Sequence, residues 1–156
     1  MDSTRLAYIA GFLDGDGSIF FQIVRRKDYK FGFQIRSTVA FYQKTKFVKI
    51  LKFLKRIFKS GYIRHREEGM SDYSIVDPKE VEKILISLQP YVVVKNKQLK
   101  LGLKILQKLK KYKSPKGFLE ICKLVDKFSK LNYSKKRTIT SKVVKDYFIK
   151  NKLLPL

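Results

Sequence analysis

The sequence predicts an α+β fold in which four antiparallel strands form one sheet and helices cover one face of it. Helical and strand periodicities alternate as helix, hairpin, helix, hairpin, helix, and further helices follow. The 156 residues are 44% hydrophobic, with 12 Phe and 9 Tyr, which is enough for a buried core. We therefore expect one domain over residues 1–156, with an αββαββα core over about 4–112 and C-terminal helices over about 114–153.

The helices are predicted from apolar spacing and from residues that begin or end helices. A first helix over residues 4–14 has Ser3 or Thr4 as its N-cap. Pro78 begins a later helix and Pro90 ends it. The other helices are predicted over residues 46–59, 96–112 and 114–131, and after Thr140 or Ser141.

The strands are predicted from alternation of apolar and polar residues between polar turns. They cover residues 18–26, 31–42, 62–66 and 72–76, paired as two hairpins. From Phe33 to Tyr42 the odd positions are mostly apolar, while the even positions include Gln34, Arg36 and Thr38. This pattern is typical of a sheet with one face on the core and the other toward water or a polar ligand.

The charge of the chain favours a polyanionic partner. Lys and Arg total 36 against 13 for Asp and Glu, which gives a formal charge of +23. Nucleic acid is the first candidate and an anionic membrane surface the second. No apolar stretch is long enough for a membrane span, and no secretory signal is recognised. The lone cysteine, Cys122, has apolar residues at helical spacing and is predicted to be a buried hydrophobe.

The sheet face that carries Gln, Arg and Tyr is a candidate for reading DNA bases. Gln22 and Arg26 share a face of the first strand, and Arg64 and Arg66 share a face of the third. Gln pairs with adenine and Arg with guanine in the major groove, which a two-stranded ribbon can enter. An ordinary solvated sheet face is the alternative.

Residues 9–17, Ile-Ala-Gly-Phe-Leu-Asp-Gly-Asp-Gly, carry the most specific signal. Ala7, Gly11 and Gly15 give the first helix a face with little side-chain bulk, so another backbone can approach closely. The helix then reaches two acids, Asp14 and Asp16, either of which could point toward a metal. A capped helix with two solvated acids is the alternative. An EF-hand is excluded, because Ile19 stands where its turn glycine belongs.

This run resembles the signature of the LAGLIDADG homing endonucleases. Five positions are identical: Ala10, Gly11, Asp14, Asp16 and Gly17. Further matches follow in order along nearly the whole chain, among them Gln43-Lys44-Thr45, Ser71-Asp72-Tyr73, residues 95–98 and residues 131–135. The order is that of the single-motif, homodimeric branch.

The resemblance implies a catalytic group of Asp16, Gln43 and Lys95, with the Gly15 carbonyl and Asp16 as metal ligands. It implies Mg²⁺ as the cofactor, with Mn²⁺ expected to substitute and Ca²⁺ expected to bind without supporting cleavage. One departure is Phe47, where the family leads us to expect a basic residue. The implied dimer interface comprises Ala7, Ala10, Gly11 and Asp14. The implied DNA contacts are Gln22, Val24, Arg26, Asp28, Tyr29, Gln34, Arg36, Thr38, Ala40, Arg64, Arg66, Ser134, Lys135, Lys136 and Arg137.

The sequence is therefore interpreted as a homodimeric, Mg²⁺-dependent, site-specific endonuclease. Its partners are expected to be double-stranded DNA, on a long pseudo-palindromic site, and a second copy of itself, with no membrane and no small-molecule substrate. The sheet would form a saddle over the DNA. Family membership implies a protein encoded by a group I intron and acting in a chloroplast or mitochondrion. A splicing maturase that binds intron RNA and a non-catalytic basic RNA-binding protein are the alternatives.

Overall fold

The computed structural model describes residues 1–133, 137 and 139–155, and the predicted α+β class is confirmed. No helix in the described part of the chain is long and apolar enough to cross a membrane. The elements are α1 (Ser3–Asp16), β1 (Gly17–Arg25), β2 (Phe33–Lys44), α2 (Lys49–Phe58), β3 (Tyr62–His65), β4 (Met70–Ile75), α3 (Pro78–Leu88), α4 (Asn96–Leu109), α5 (Pro115–Asp126), α6 (Phe128–Leu131) and α7 (Ser141–Lys150).

The four strands form one sheet in the order β1-β2-β4-β3. β4 pairs antiparallel with both β2 and β3, so Tyr42, Asp72 and Arg64 stand in one row across three strands. The next row, Gln43, Ser71 and His65, points to the other side of the sheet because side chains alternate along a strand. These two rows position much of the candidate site.

Several predicted boundaries shift for identifiable reasons. The N-cap of α1 is Asp2 rather than Ser3 or Thr4, since its carboxylate accepts from the Arg5 N–H at 2.8 Å. The helix predicted over 46–59 divides into a 3₁₀ turn, Thr45–Phe47, and α2. Likewise the helix predicted over 114–131 divides after Asp126 into α5 and α6.

The chain forms two compact units, a division that the single predicted domain did not include. The first comprises residues 1–19 and 37–100. Its buried residues include Leu13, Leu51 and Leu85, and the Phe12 ring meets the Phe41 ring edge-on at 5.6 Å. Gly61 follows α2 with φ +85°, and a Cβ there would collide with the Ser74 carbonyl. Glycine is therefore required at the entry to β3.

The second unit comprises residues 20–36 and 101–156. Its core is aromatic: Phe31 and Phe33 each pack against Phe148, and the Phe21 ring stacks on Phe128 at 5.3 Å. Cys122 is buried as predicted, and burial raises the pKa of its thiol to about 12. It is therefore a protonated apolar group at neutral pH.

The N-terminus of α7 is capped from another helix. Thr140 stands at the N-cap but its side chain makes no capping hydrogen bond. The carboxylate of Asp126, at the end of α5, accepts instead from the Ser141 N–H at 3.1 Å and from its hydroxyl. A carboxylate in this position also complements the positive end of the helix dipole.

Candidate active site and nucleic-acid interface

The two acids of the signature stand in the last turn of α1, which continues to Asp16 and leads directly into β1. The Gly17 N–H bonds back to the Leu13 carbonyl. A Cβ on Gly17 would lie 2.6 Å from Leu13 Cδ1 and 2.8 Å from its Cα, so only glycine fits this abrupt change from helix to strand. The sequence placed both acids near a helix end, and the structure distinguishes them.

The Asp14 carboxylate forms hydrogen bonds within its own chain. Its carboxylate accepts from the backbone N–H of Val93 at 2.8 Å and of Lys95 at 3.0 Å. The Lys95 ammonium also donates to the Asp14 carbonyl at 2.7 Å. Asp14 therefore ties the segment before α4 to the end of α1. Each carboxylate oxygen can still accept a second hydrogen bond, so the place of Asp14 in a dimer interface stays a prediction.

Asp16, in contrast, is exposed, and no described residue forms a hydrogen bond or ion pair with its carboxylate. Gly15 is exposed as well, and its carbonyl belongs to the last turn of α1, whose carbonyls lack helical partners. Oxygen donors of these two kinds suit Mg²⁺. Within the described ranges no three His, Cys, Asp or Glu side chains cluster as a metal site. An ion bound by Asp16 and the Gly15 carbonyl would therefore need its remaining ligands from DNA, water or a second protomer.

Of the other two predicted catalytic residues, the contacts bring Lys95 to this helix end. Lys95 is held on the Asp14 carbonyl, two residues before Asp16. Gln43 lies near the end of β2, where its Oε1 accepts from the Lys44 N–H at 3.1 Å. This contact leaves the Gln43 amide NH₂ as the group available to a ligand.

Phe47, where a basic residue was expected, has a ring that is 55% exposed. The Lys46 ammonium lies over this ring, 5.1 Å from its centroid. A positive charge is therefore present beside the position, although the residue itself is aromatic. The sequence offered no sign of this pairing beyond the adjacency of the two residues.

The small-residue face of α1 is open. Ala7, Gly11 and Gly15 are exposed, and a Cβ added at either glycine meets nothing within 4 Å. Ala10 lies beside this face, toward buried Ile9 and Leu13, and is fully buried in the protomer core. Its predicted place in the dimer interface is therefore wrong, because no surface remains to contact a partner.

In the second unit, the predicted DNA-contacting residues of β1 and β2 are accessible. Gln22, Val24 and Gln34 are half-buried and Arg36 is exposed. No described residue pairs with the Arg36 guanidinium. Tyr29, in the turn between the strands, is 39% exposed.

Arg26 is held in place by its neighbours in the same unit. Its guanidinium donates to Asp28 at 3.0 and 3.1 Å and to Gln34 Oε1 at 3.1 Å, and it lies over the Tyr29 ring. Hydrogen bonding to Asp28 raises the pKa of Arg26, and the same bond lowers the pKa of Asp28. The side chain is thus oriented before any ligand arrives.

In the first unit, Arg64 and Arg66 share one carboxylate. Arg66 Nε lies 2.6 Å and Arg64 Nε 3.5 Å from Asp72 Oδ1, and the Ser74 hydroxyl donates to Asp72 Oδ2 at 3.1 Å. Burial raises the pKa of Asp72, but the bonds from Arg66 and Ser74 and the charge of both arginines outweigh it, so the pKa is lowered. The two arginines remain about half exposed.

Asp72 was not predicted as a site residue, although a signal for it existed. It is a lone acid in a strand beside an Arg-bearing strand, and pairing it with Arg64 or Arg66 requires only the hairpin register.

Tyr42 on β2 stands opposite Asp72 in the sheet. The sequence places Tyr42 on the polar face but predicts no binding or catalytic role for it. Burial raises the pKa of the Tyr42 phenol, so it stays a hydrogen-bonding O–H at neutral pH.

Two residues predicted to contact DNA are buried in the structure. Thr38 is 4% and Ala40 1% exposed, so neither presents its side chain to a macromolecule. The alternation of β2 fails here because Ser37, Thr38, Val39, Ala40 and Phe41 are all buried. Small side chains on the nominally polar face are covered by their surroundings, which alternation alone cannot anticipate.

The predicted phosphate-contacting loop is only partly described. Ser134, Lys135 and Lys136 lie outside the described residues. Arg137 is half-buried, and its Nη1 donates to the Phe21 carbonyl at 2.9 Å. Burial lowers the pKa of this guanidinium. At least one of its donors is therefore used to hold the second unit together.

Comparison with known proteins places this geometry in a family. The family model described as LAGLIDADG endonuclease matches residues 9–103. DNA endonuclease I-CreI of Chlamydomonas reinhardtii is 43% identical over 90% of this chain and 86% of its own. DNA endonuclease I-CvuI of Chlorella vulgaris is 37% identical over 93% of this chain and 90% of its own.

A crystal structure of I-CvuI superposes on this chain with a TM-score of 0.88, covering 96% of this chain and 94% of the other at 37% identity. That crystal holds I-CvuI in complex with the I-CreI target in 2 mM Mg, with the DNA not cleaved. A second crystal holds I-CvuI with its target in 2 mM Ca and gives the same TM-score.

Proposed function

The chain belongs to the LAGLIDADG endonuclease family, and from this premise we propose that it is a site-specific endonuclease that makes a double-strand break in DNA as a homodimer. The observation that carries the proposal is the exposed carboxylate of Asp16 at the end of α1, which no described residue pairs, with Lys95 bonded to the same helix end. The relatives I-CreI and I-CvuI, both named DNA endonucleases, match over nine-tenths of the chain.

The acidic helix end supports metal-assisted hydrolysis. Asp16 and the Gly15 carbonyl would hold Mg²⁺, which supplies charge neutralisation and an activated water when bound. Asp16 suits this role better than Asp14, since the Asp14 carboxylate already accepts two backbone N–H groups. The I-CvuI complexes prepared with Mg and with Ca support a divalent cation of this class. We expect Mn²⁺ to substitute and Ca²⁺ to bind without supporting cleavage.

Gln43 and Lys95 would complete the catalytic group. The Gln43 NH₂, left free by the contact of Oε1 with Lys44, would orient a water or a phosphate oxygen. Lys95 and the exposed Lys46 would contribute positive charge where negative charge develops on the phosphate. Lys46 thereby offers a replacement for the basic residue absent at Phe47.

The exposed glycines of α1 support the homodimer. Each glycine in a helix interior costs about 1 kcal/mol relative to alanine. No described residue requires glycine at position 11 or 15, because a Cβ at either would meet none of them within 4 Å. Close approach of a second α1 would account for both. One protomer carries one Asp16, so two protomers would supply one carboxylate for each DNA strand.

The polar sheet residues support sequence recognition in each half-site. We assign direct base contact to the accessible set Gln22, Val24, Arg26, Asp28, Tyr29, Gln34, Arg36, Arg64 and Arg66. Thr38 and Ala40 are left out because they are buried. The loop residues Ser134, Lys135, Lys136 and Arg137 are assigned to phosphate, where a charge of +23 favours binding to any DNA sequence.

The genetic setting would be a group I intron of a chloroplast or mitochondrion. The supporting observations are the relatives from Chlorella vulgaris and Chlamydomonas reinhardtii and the predominance of Lys, with 28 Lys against 8 Arg. Lysine codons are AT-rich, as the genomes of organelles often are.

The test is a digest of plasmids that carry candidate intron-insertion sites. Mg²⁺ should be raised above the 2 mM at which I-CvuI left the I-CreI target uncleaved. We expect a double-strand break at one site, lost in EDTA and absent with Ca²⁺. Retained binding of intron RNA, with no cut in any DNA, would instead support the maturase alternative.

A further inference from the structure

The only histidine of the chain lies in the same cross-strand row as Gln43. Ser71 on β4 pairs in register with Gln43 on β2 and with His65 on β3. Neighbours in such a row are close enough for their side chains to interact. Ser71 is 1% exposed, so its hydroxyl must find hydrogen-bond partners within the protein.

Those partners are His65 on one side and Thr45 on the other. Ser71 Oγ lies 2.7 Å from His65 Nδ1 and 2.7 Å from Thr45 Oγ1. Each hydroxyl has one proton and can also accept, so the three groups form a continuous chain in either direction. Replacing His65 or Thr45 takes a partner from the buried Ser71 hydroxyl, and replacing Ser71 breaks the link between the other two.

Thr45 begins the 3₁₀ turn that follows Gln43 and Lys44. The turn is closed by the Val48 N–H, which donates to the Thr45 carbonyl at 3.1 Å. No side chain caps this turn. The contact with Ser71 is the side-chain hydrogen bond that anchors Thr45 to the sheet.

We propose that His65 and Ser71, acting through Thr45, are positioning residues that hold the turn from Gln43 to Phe47 in the geometry needed for DNA cleavage. The inference rests on the proposed endonuclease function and on the role of Gln43 in it. None of the three side chains needs to touch the reacting atoms. Their loss shifts the Gln43 amide and the Lys46 charge relative to Asp16, and small misplacements of catalytic groups reduce rates strongly.

The experiment compares Ser71→Ala, Thr45→Val and His65→Ala with wild type. Single-turnover cleavage in Mg²⁺ should slow about tenfold or more in each variant. DNA affinity measured in Ca²⁺ should change by less than about threefold, because the base-reading arginines are untouched. The double variant Ser71→Ala/Thr45→Val should be no slower than the worse single variant, since both break one chain.

Two variants separate positioning from a general loss of structure. His65→Asn can place an amide group near the former Nδ1 and should restore most of the rate. Ser87→Ala removes a hydroxyl that donates to the Lys83 carbonyl on α3 and should leave the rate unchanged. Equal rates for wild type and all three test variants would overturn the proposal, as would a failure of His65→Asn to recover.

A readout independent of cleavage distinguishes this inference from the endonuclease function. Hydrogen exchange of the Val48 amide should accelerate in Ser71→Ala, while the Val81 amide, bonded to the Asp77 carbonyl at 2.8 Å, should not change. If wild type cuts no DNA but Val48 responds, the endonuclease proposal fails and the anchoring of the turn stands. If Val48 does not respond, the anchoring itself is wrong.

Discussion

Lys95 donates two hydrogen bonds to Asp14: its backbone N–H donates to the Asp14 carboxylate at 3.0 Å, and its ammonium donates to the Asp14 carbonyl at 2.7 Å. The pair joins the end of α1 to the segment that precedes α4. It also distinguishes the two signature acids, since Asp14 accepts these bonds while no described residue pairs with the Asp16 carboxylate.

Asp14→Asn should destabilise the fold. Asparagine offers one acceptor oxygen where the carboxylate offers two, so one of the Val93 and Lys95 amides loses its partner. The cost should be about 1–3 kcal/mol of unfolding free energy. Urea denaturation measures it. An Asp14→Asn protein as stable as wild type would show that these contacts contribute little.

Asp16→Asn should abolish cleavage and leave both stability and DNA affinity near the wild-type values. The substitution keeps the shape of the side chain and removes the charge that would hold Mg²⁺. Digestion in Mg²⁺ and binding in Ca²⁺ measure the two properties on one preparation. Cleavage at close to the wild-type rate would exclude Asp16 as the metal ligand.

The element order, the sheet and the exposed small face of α1 could be predicted from the sequence because each depends on local spacing. Alternation selected Gln34 and Arg36, and both are accessible. Ala10 was misplaced because a small residue suits a tight core as well as an interface. Helical position decides between the two: Ala10 lies three residues before buried Leu13 on the same side of α1, whereas Gly11 lies on the exposed side.

Contacts between residues far apart in the sequence could not be predicted from local patterns. The hydrogen bonds from Val93 and Lys95 to Asp14 join residues about eighty positions apart, and no pattern in either segment predicts them. The chain from His65 through Ser71 to Thr45 depends on strand register, which a one-residue slip would destroy. The burial of Thr38 and Ala40 depends on what covers the strand.

Asp72→Asn should weaken the fold at neutral pH, and the effect should vanish in acid. The pKa of Asp72 is lowered in the folded state, so its stabilising effect is present above the unfolded pKa and is lost as the pH falls through the lower, folded value. We expect a difference of about 1–3 kcal/mol in unfolding free energy at pH 7, shrinking below about pH 4.

Denaturant titrations of wild type and Asp72→Asn across this pH range measure the difference. Asp28→Asn is the control, because Asp28 also pairs with an arginine but is 66% exposed, where ion pairs contribute little. A gap between wild type and Asp72→Asn that persists unchanged in acid would exclude ionisation of Asp72 as its cause.

Gly11→Leu should separate folding from assembly. A Cβ at position 11 meets no described residue within 4 Å, and leucine suits a helix better than glycine by about 1 kcal/mol. The protomer should therefore stay folded and at least as stable. Packing of two α1 helices leaves no room for the larger side chain. Sedimentation should show a monomer, and a dimer like that of wild type would remove this face from the interface.

Arg36→Ala tests whether the sheet reads DNA sequence. Arg36 is exposed on β2 between Gln34 and Thr38, and its guanidinium has no partner among the described residues. An arginine bonded to a base edge contributes about 1–3 kcal/mol of discrimination. Binding to a randomised site library should therefore lose preference at one or two positions in each half-site.

The control is Arg56→Ala on α2, which removes the same charge from an exposed helix position. It should leave the sequence profile intact, and any loss of affinity should be the same for all sites. Equal profiles for wild type and Arg36→Ala would mean that this strand does not contact the bases.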